Sequence, residues 1–417
     1  MEILSTGEKI RRARIYKGYT LKYICEDRIS VSKMSCIENG KVVPEDWILE
    51  FIAKKLDLDI EYLKDDVRSQ IRNNINILKN SGKKDDYEKN LEYNLSFAQE
   101  YRYYEEAFNI MHMIFSYNID KGKFGKLQVL IPTYYEICLK CKLVENQLTY
   151  YMDIARYLYS SSEYVQASGY YNTIRIEAEK LKKNEVVAKA TFNECACYIM
   201  LEKYEEAYKI AESLKSLVDY FNDNTKKAEA YHMMAVLSLR MNKECFKEYE
   251  QKSYELYGEN KIYKANAIYN YAVTMMDLGL RDEGIQYIMK ALDCHPKEKE
   301  ENLVSFMVMC INELIKNDII DEAEKISNET INYAIDLNNI KYIEKAYHCK
   351  ALILGKKHEL EAEEMYMNLS LDTLMKFGNK KEVYERYLEM GNMYHKMNNV
   401  GEAIKYFNLA INLSKKI

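Results

Sequence analysis

After residue 85 the chain repeats itself, and that repetition constrains its fold more than any other feature. An aromatic or aliphatic residue, two polar residues and a small one recur as Tyr104-Glu-Glu-Ala107, Tyr164-Val-Gln-Ala167, Tyr204-Glu-Glu-Ala207, Arg281-Asp-Glu-Gly284, Ile320-Asp-Glu-Ala323 and Val400-Gly-Glu-Ala403. A copy one residue short reads Leu360-Glu-Ala362, and a degenerate one centres on Phe246-Lys247. The small residues lie about 37 to 41 apart, apart from a gap of 60 between Ala107 and Ala167 that leaves room for an extra helix near Phe124–Cys141, started or interrupted by Pro132. Twelve residues before the small residue lies another: Ala155, Cys195, Ala235, Ala272 and Gly391. This is the pattern of two antiparallel helices approaching through small side chains, so that Ala207 meets Cys195 and Ala403 meets Gly391. One such hairpin cannot bury its apolar face alone, and neighbours must stack. Eight repeats over 85–417 are predicted.

Composition agrees. Three prolines and fourteen glycines in 417 residues favour long uninterrupted helices and exclude collagen-like and Pro-rich classes. No apolar run approaches a membrane span and the N-terminus is not a signal peptide, so a cytoplasmic location with no membrane partner is expected. Ten cysteines then read as free, mostly buried thiols. Cys138-Leu-Lys-Cys141 and Cys195-Ala-Cys197 lack a second pair at zinc spacing, and the six histidines are scattered over different repeats. No nucleophile elbow, P-loop, dinucleotide turn or His-Glu-x-x-His is present. The expectation is a non-enzyme with no catalytic residues, no cofactor and no metal.

The first 64 residues read differently. Ser5-Thr6-Gly7-Glu8 has the form of a capping box opening a helix that runs to about Tyr16, with Ile10, Ala13 and Tyr16 inward. A second helix over Leu21–Asp27 turns Leu21, Ile24 and Cys25 inward, and Ser30 caps a third. Met34 and Ile37 anchor that third helix while Val31, Ser32, Ser35 and Cys36 point away, and Gly40 suits a left-handed stop. Pro44 precedes a fourth helix with Trp47, Ile48, Phe51, Ile52 and Leu56, and a short fifth holds Ile60 and Leu63. Residues 1–41 carry nine Lys/Arg against five Asp/Glu, or +4, so the rest of this −5 chain carries −9. One nucleic-acid face on an otherwise acidic protein fits that asymmetry. Asp65–Lys79 reads as a linker helix with Val67, Ile71, Ile75 and Leu78 on one face, docking on the repeats or on a symmetry mate, followed by the polar stretch 81–86.

Gly-Glu-Lys-Ile-Arg-Arg-Ala-Arg (7–14), Lys-Gly-Tyr-Thr (17–20) and Ser-Cys-Ile-Glu-Asn-Gly-Lys (35–41) resemble the Xre/Cro-type helix-turn-helix family. The resemblance implies that Val31, Ser32 and Cys36, with Ser35 beside them, face base edges. Lys9, Arg11, Arg12, Lys33 and Lys41 are candidates for phosphates, and Lys22 stands in where many relatives carry a Gln at position 21. The repeats resemble the tetratricopeptide repeat, best over 384–413, where Tyr387, Met390, Gly391, Tyr394, Ala403, Phe407 and Ala410 occupy structural positions. That resemblance implies a concave groove lined by the first helix of each hairpin. Asn193, His232, Arg240, Asn270, Asn312, Asn392, Asp153 and Arg156 would hold a peptide there, the asparagines pairing with its backbone as both donors and acceptors.

The combination resembles the RRNPP family. It implies an all-α chain: a five-helix headpiece over 1–64, a linker helix over 65–84 and a right-handed solenoid of about eight hairpins over 85–417 for peptide binding and dimerisation. The implied function is a cytoplasmic transcription regulator in quorum sensing. Its partners would be a double-stranded DNA operator, a short signalling peptide and a second copy of itself. The alternative is a regulator that sequesters a phosphorelay component or another protein through the repeats.

Overall fold

The computed structural model describes residues 2–80, 82, 86–298 and 301–415. Most of the expected polar linker (Ser81, Lys83, Lys84 and Asp85) lies outside them. All regular secondary structure among the described residues is helical, with no strand. The chain divides into two compact units, Met1–Lys203 and Tyr204–Ile417.

The first unit opens with α1 (Thr6–Tyr16), α2 (Leu21–Cys25), α3 (Val31–Glu38), α4 (Asp46–Leu56) and α5 (Ile60–Lys64). The caps are local chemistry. Ser5 and Glu8 complete a capping box, and the side chains of Thr20 and Ser30 accept from the amides of Tyr23 and Lys33. The second helix stops two residues earlier than expected, because Glu26 turns to φ 48°. Ile10, Ile24, Cys25, Met34, Ile37, Ile48, Ile52, Leu56 and Leu63 form a separate small core. Tyr16 is not inward, being 91% exposed.

The linker helix is α6 (Val67–Asn80). Its buried Val67, Ile71, Ile75 and Leu78 join the core of α7 (Tyr87–Glu100) and α8 (Tyr104–Asp120), so it docks within its own chain. Then come α9 (Phe124–Cys141), α10 (Val144–Ser160), α11 (Tyr164–Lys180) and α12 (Asn184–Met200). The extra helix is α9, and it runs through Pro132 without a break.

The second unit comprises α13 (Tyr204–Leu214), a 3-10 turn at Val218–Tyr220, α14 (Asn224–Arg240), α15 (Phe246–Tyr257), α16 (Lys261–Asp277), α17 (Arg281–Cys294), α18 (Glu301–Lys316), α19 (Ile320–Asp336), α20 (Ile340–Lys356), α21 (Leu360–Leu374), α22 (Lys380–Lys396) and α23 (Val400–Ser414). Each repeated signature opens a helix: α8, α11, α13, α15, α17, α19, α21 and α23. The turns share one device, a left-handed residue five before the small-residue position of the next helix. Ser162 at φ 63° is typical, with Glu163 N–H donating to the Leu158 carbonyl at 2.8 Å and Ser162 N–H to Tyr159 at 3.0 Å. These two bonds close the Schellman arrangement that satisfies the last carbonyls and reverses the chain.

Two details of the small-residue pattern differ from expectation. A Cβ on Gly391 would come within 2.5 Å of the Phe407 ring, so Gly391 makes room for an aromatic side chain one turn beyond Ala403. The copy that seemed short is full length. Its small-residue position is Glu363, eight residues after Gly355, whose missing Cβ leaves space for the Glu363 carboxylate. At the same spacing Gly284 makes room for Met276, so the glycine has changed sides.

Candidate functional site

Two sets of residues are candidates from the sequence: a DNA-contact set in the headpiece, and a peptide set divided between the first unit (Asp153, Arg156, Asn193) and the second (His232, Arg240, Asn270, Asn312, Asn392). In the headpiece, α3 is fixed from three sides. Met34 and Ile37 are buried beneath it. Its C-terminal turn meets α1 where Gly7 lies, and a Cβ there would be 2.3 Å from the Ile37 carbonyl oxygen. The Arg14 guanidinium grips the Glu38 carboxylate through two bonds, 2.7 and 2.8 Å, while a third reaches the Tyr19 carbonyl at 3.0 Å. Sequence reasoning missed this pair, although both residues lie in the quoted motifs. Held this way, α3 leaves Val31 (44% exposed) and Ser32 on its solvent face, with Ser35 and Cys36 half-buried beside them.

The basic residues sort into two groups. Arg11, Arg12, Lys22 and Lys41 are exposed and Lys33 is half-buried; Arg12 pairs with Glu2 at 2.6 Å and Lys33 with Glu45 at 2.8 Å. Lys9 is a correction. It is 2% exposed, and its ammonium donates to the backbone oxygens of Tyr62 at 2.7 Å and Asp65 at 2.5 Å. Burial lowers its pKa, opposed by Asp65 and Asp66. Lys9 therefore ties α1 to the end of α5 and cannot reach a phosphate.

Among the peptide candidates, Asp153 is also a correction. It is 1% exposed, 2.6 Å from His112 Nδ1, and accepts from the Tyr134 hydroxyl at 2.8 Å. Its carboxylate is a cross-link between α8, α9 and α10. Arg156 stands 3.9 Å from both Asp120 and Asp153 and stays partly exposed. Asn193 belongs to the first unit, half-buried on α12.

The remaining candidates lie in the second unit, on first helices. Asn270, Asn312 and Asn392 are exposed on α16, α18 and α22. Side chains link neighbouring first helices: Asn270 Nδ2 lies 3.3 Å from His232 Nε2, Arg240 bonds Asp277 at 2.8 Å, and the Cys349 thiol reaches Asn312 Oδ1 at 3.6 Å. Burial lowers the His232 pKa to about 4, so its imidazole is neutral at neutral pH. Its Nδ1 has no partner. Further along, α20 and α22 flank a cleft of about 770 Å3 lined by charged side chains and by Tyr342, Leu374 and Phe377.

The cysteines fit packing. Burial pushes the Cys138 thiol up to about 11 and those of Cys197, Cys310 and Cys349 to about 12, which keeps them protonated and unreactive. Among the described residues no three His, Cys, Asp or Glu side chains gather as metal ligands. Nor is any helix among them long and apolar enough to cross a membrane.

No family model matches the chain, and no curated protein matches it. Solved structures do. The apo form of the quorum sensor NprR from B. thuringiensis is similar at 16% identity over 84% of this chain and 99% of that one, with a TM-score of 0.44. The apo form of RapI gives 14% identity over 84% and 97%, with a TM-score of 0.48. Bacillus thuringiensis PlcR, solved with the peptide PapR7 and DNA, gives 16% over 61% and 94%, with a TM-score of 0.35.

Proposed function

We propose that this chain is a transcription regulator that reads duplex DNA through α3 and changes its DNA affinity when a short peptide binds the first helices of the second unit. The observation that carries the reading is the outward face of α3. Val31 and Ser32 are open to a major groove, on a helix whose cap, core anchors and Arg14–Glu38 clamp fix its presentation. Val31 offers an apolar contact for a thymine methyl, and Ser32 a hydroxyl for either base edge. No long bidentate side chain is present, so DNA shape supplies part of the discrimination. Two copies reading two half-sites would multiply such modest contacts.

Sequences selected from a random duplex library test this directly. The selected duplex should bind the full chain more tightly than a scrambled one. Ser32→Ala and Val31→Ala should erase that difference with helical content unchanged. With Lys9 removed, five cations remain per headpiece (Arg11, Arg12, Lys22, Lys33, Lys41). The plot of log affinity against log salt should then slope at about −4 to −5 per headpiece. For the peptide half, Asn270→Ala with Asn312→Ala should abolish a peptide response while leaving DNA binding intact.

A further inference from the structure

The cleft between α20 and α22 falls within the roughly 300–1,000 Å3 range of ligand pockets, and its walls have opposite charge. On α20, Lys341, Lys345 and His348 recur at helical spacing; on α22, Glu382, Glu385 and Glu389 do. The inner end is a built structure. Buried Arg386 donates to Glu344 at 2.9 Å, to Glu389 at 2.8 Å and to the Ser370 hydroxyl, which itself donates to Glu344 at 2.8 Å. His348 Nε2 lies 2.8 Å from Glu389. These bonds join the two helices at an offset of about 41 residues, which puts Lys341 level with Glu382 and Lys345 level with Glu385 and Arg386.

The outer end is different. Lys341, Lys345 and Glu385 are exposed, and none has an ion pair with another described residue. Glu382 spends one oxygen on the Asn379 amide at the start of α22. Tyr342, Leu374 and Phe377 add apolar surface to the lining. A ligand of single sign would be repelled by one wall. A ligand carrying both signs satisfies each.

We propose that this cleft binds a short zwitterionic peptide, with a cationic group on Glu382 and Glu385 and a carboxylate on Lys341 and Lys345. It is the anchoring end of the peptide site, and so rests on the peptide-receptor reading above. The buried Arg386 network ties the inner ends of the walls in register, and the exposed residues do the selecting.

Calorimetric titration of the full chain tests it with two probes: Lys-Ala-Ala-Ala-Glu with free termini, and penta-alanine acetylated and amidated at its ends. The charged probe should bind at least tenfold tighter. Lys345→Ala and Glu385→Gln, both at exposed positions, should each weaken it at least threefold with circular dichroism unchanged. Equal binding of the two probes overturns the assignment. So does charged-probe binding that neither variant affects. Variants that shift the melting temperature but not the titration also overturn it, and would mean that the walls pair with each other. The Asn270/Asn312 double variant separates the two claims. A lost peptide response there, alongside a negative titration, would reject the cleft and leave the receptor reading standing.

Discussion

Glu88 sits in the first turn of α7, where the ammonium groups of Lys123 and Lys126 each reach its carboxylate at 2.8 Å. Burial alone would raise its pKa, but the bonds from Lys123 and Lys126 outweigh burial and hold it at about 2. A carboxylate depressed from about 4.5 unfolded to about 2 folded stabilises fully above pH 4.5 and loses that contribution as the pH falls toward 2. Glu88→Gln should therefore flatten the fall in melting temperature over that window and lower stability at pH 7. Parallel pH profiles for wild type and variant would refute it. No sequence pattern announced this contact, because the partners lie 35 and 38 residues away and meet only after packing. The residues that were legible are those whose partners are local: Ser5 with Glu8, Ser30 with the Lys33 amide, and Gly40 at φ 69°. Lys9 was misjudged for the same reason that Glu88 was missed. A lysine beside three arginines reads as a surface cation, and only the position of α5 turns it inward.

At the scale of elements, α1 and α3 meet backbone to backbone. Gly7 is the point of contact, with the carbonyl oxygens of Ile37 and Glu38 at 2.3 and 2.8 Å from where a Cβ would be. A carbonyl in the last turn of a helix cannot rotate away as a side-chain end can. Gly7→Ala should cost about 2 kcal/mol through forced separation of the helices. It should also reduce DNA affinity, because α3 would tilt; unchanged urea midpoints would contradict this. The repeat signatures mark where α8, α11, α13, α15, α17, α19, α21 and α23 begin, since each marks a fixed step of the 3.6-residue pattern just after a turn. The repeat period misread the register at 360–363 because a small residue, Ala362, stands beside the position that Glu363 fills, and the compensating Gly355 belongs to the preceding helix. Pro132 was ambiguous for a physical reason. Proline suits a helix start and usually breaks a helix interior, yet α9 passes through it.

At the scale of the molecule, the boundaries expected at 64 and 84 come from the family resemblance and the polar stretch 81–86, and both fall inside the first of the two compact units, Met1–Lys203. The headpiece belongs with the first repeats because its N-terminal residues are sewn to α6 and α7. Gln70 makes two reciprocal bonds with the Leu4 backbone, at 3.0 and 2.9 Å, and a third to the Asp65 carbonyl at 2.8 Å. The Ile3 amide donates to the Tyr93 hydroxyl at 3.1 Å, and the Ile3 side chain joins the core of α6 and α7. A peptide can control DNA binding only if it favours one of two global states, and the headpiece must be rigidly tied to whatever differs between them. The Leu4–Gln70 clamp is the tie visible in the first unit. Gln70→Ala removes it without touching α3, so DNA affinity in the absence of peptide should change less than twofold. The ratio of DNA affinities with and without peptide should collapse toward one, from the ~5–150-fold range usual for coupled sites. Anisotropy titrations of a selected duplex at fixed salt measure both quantities. A variant that keeps the wild-type ratio would place the coupling elsewhere, in the packing of Ile3 against α6 and α7.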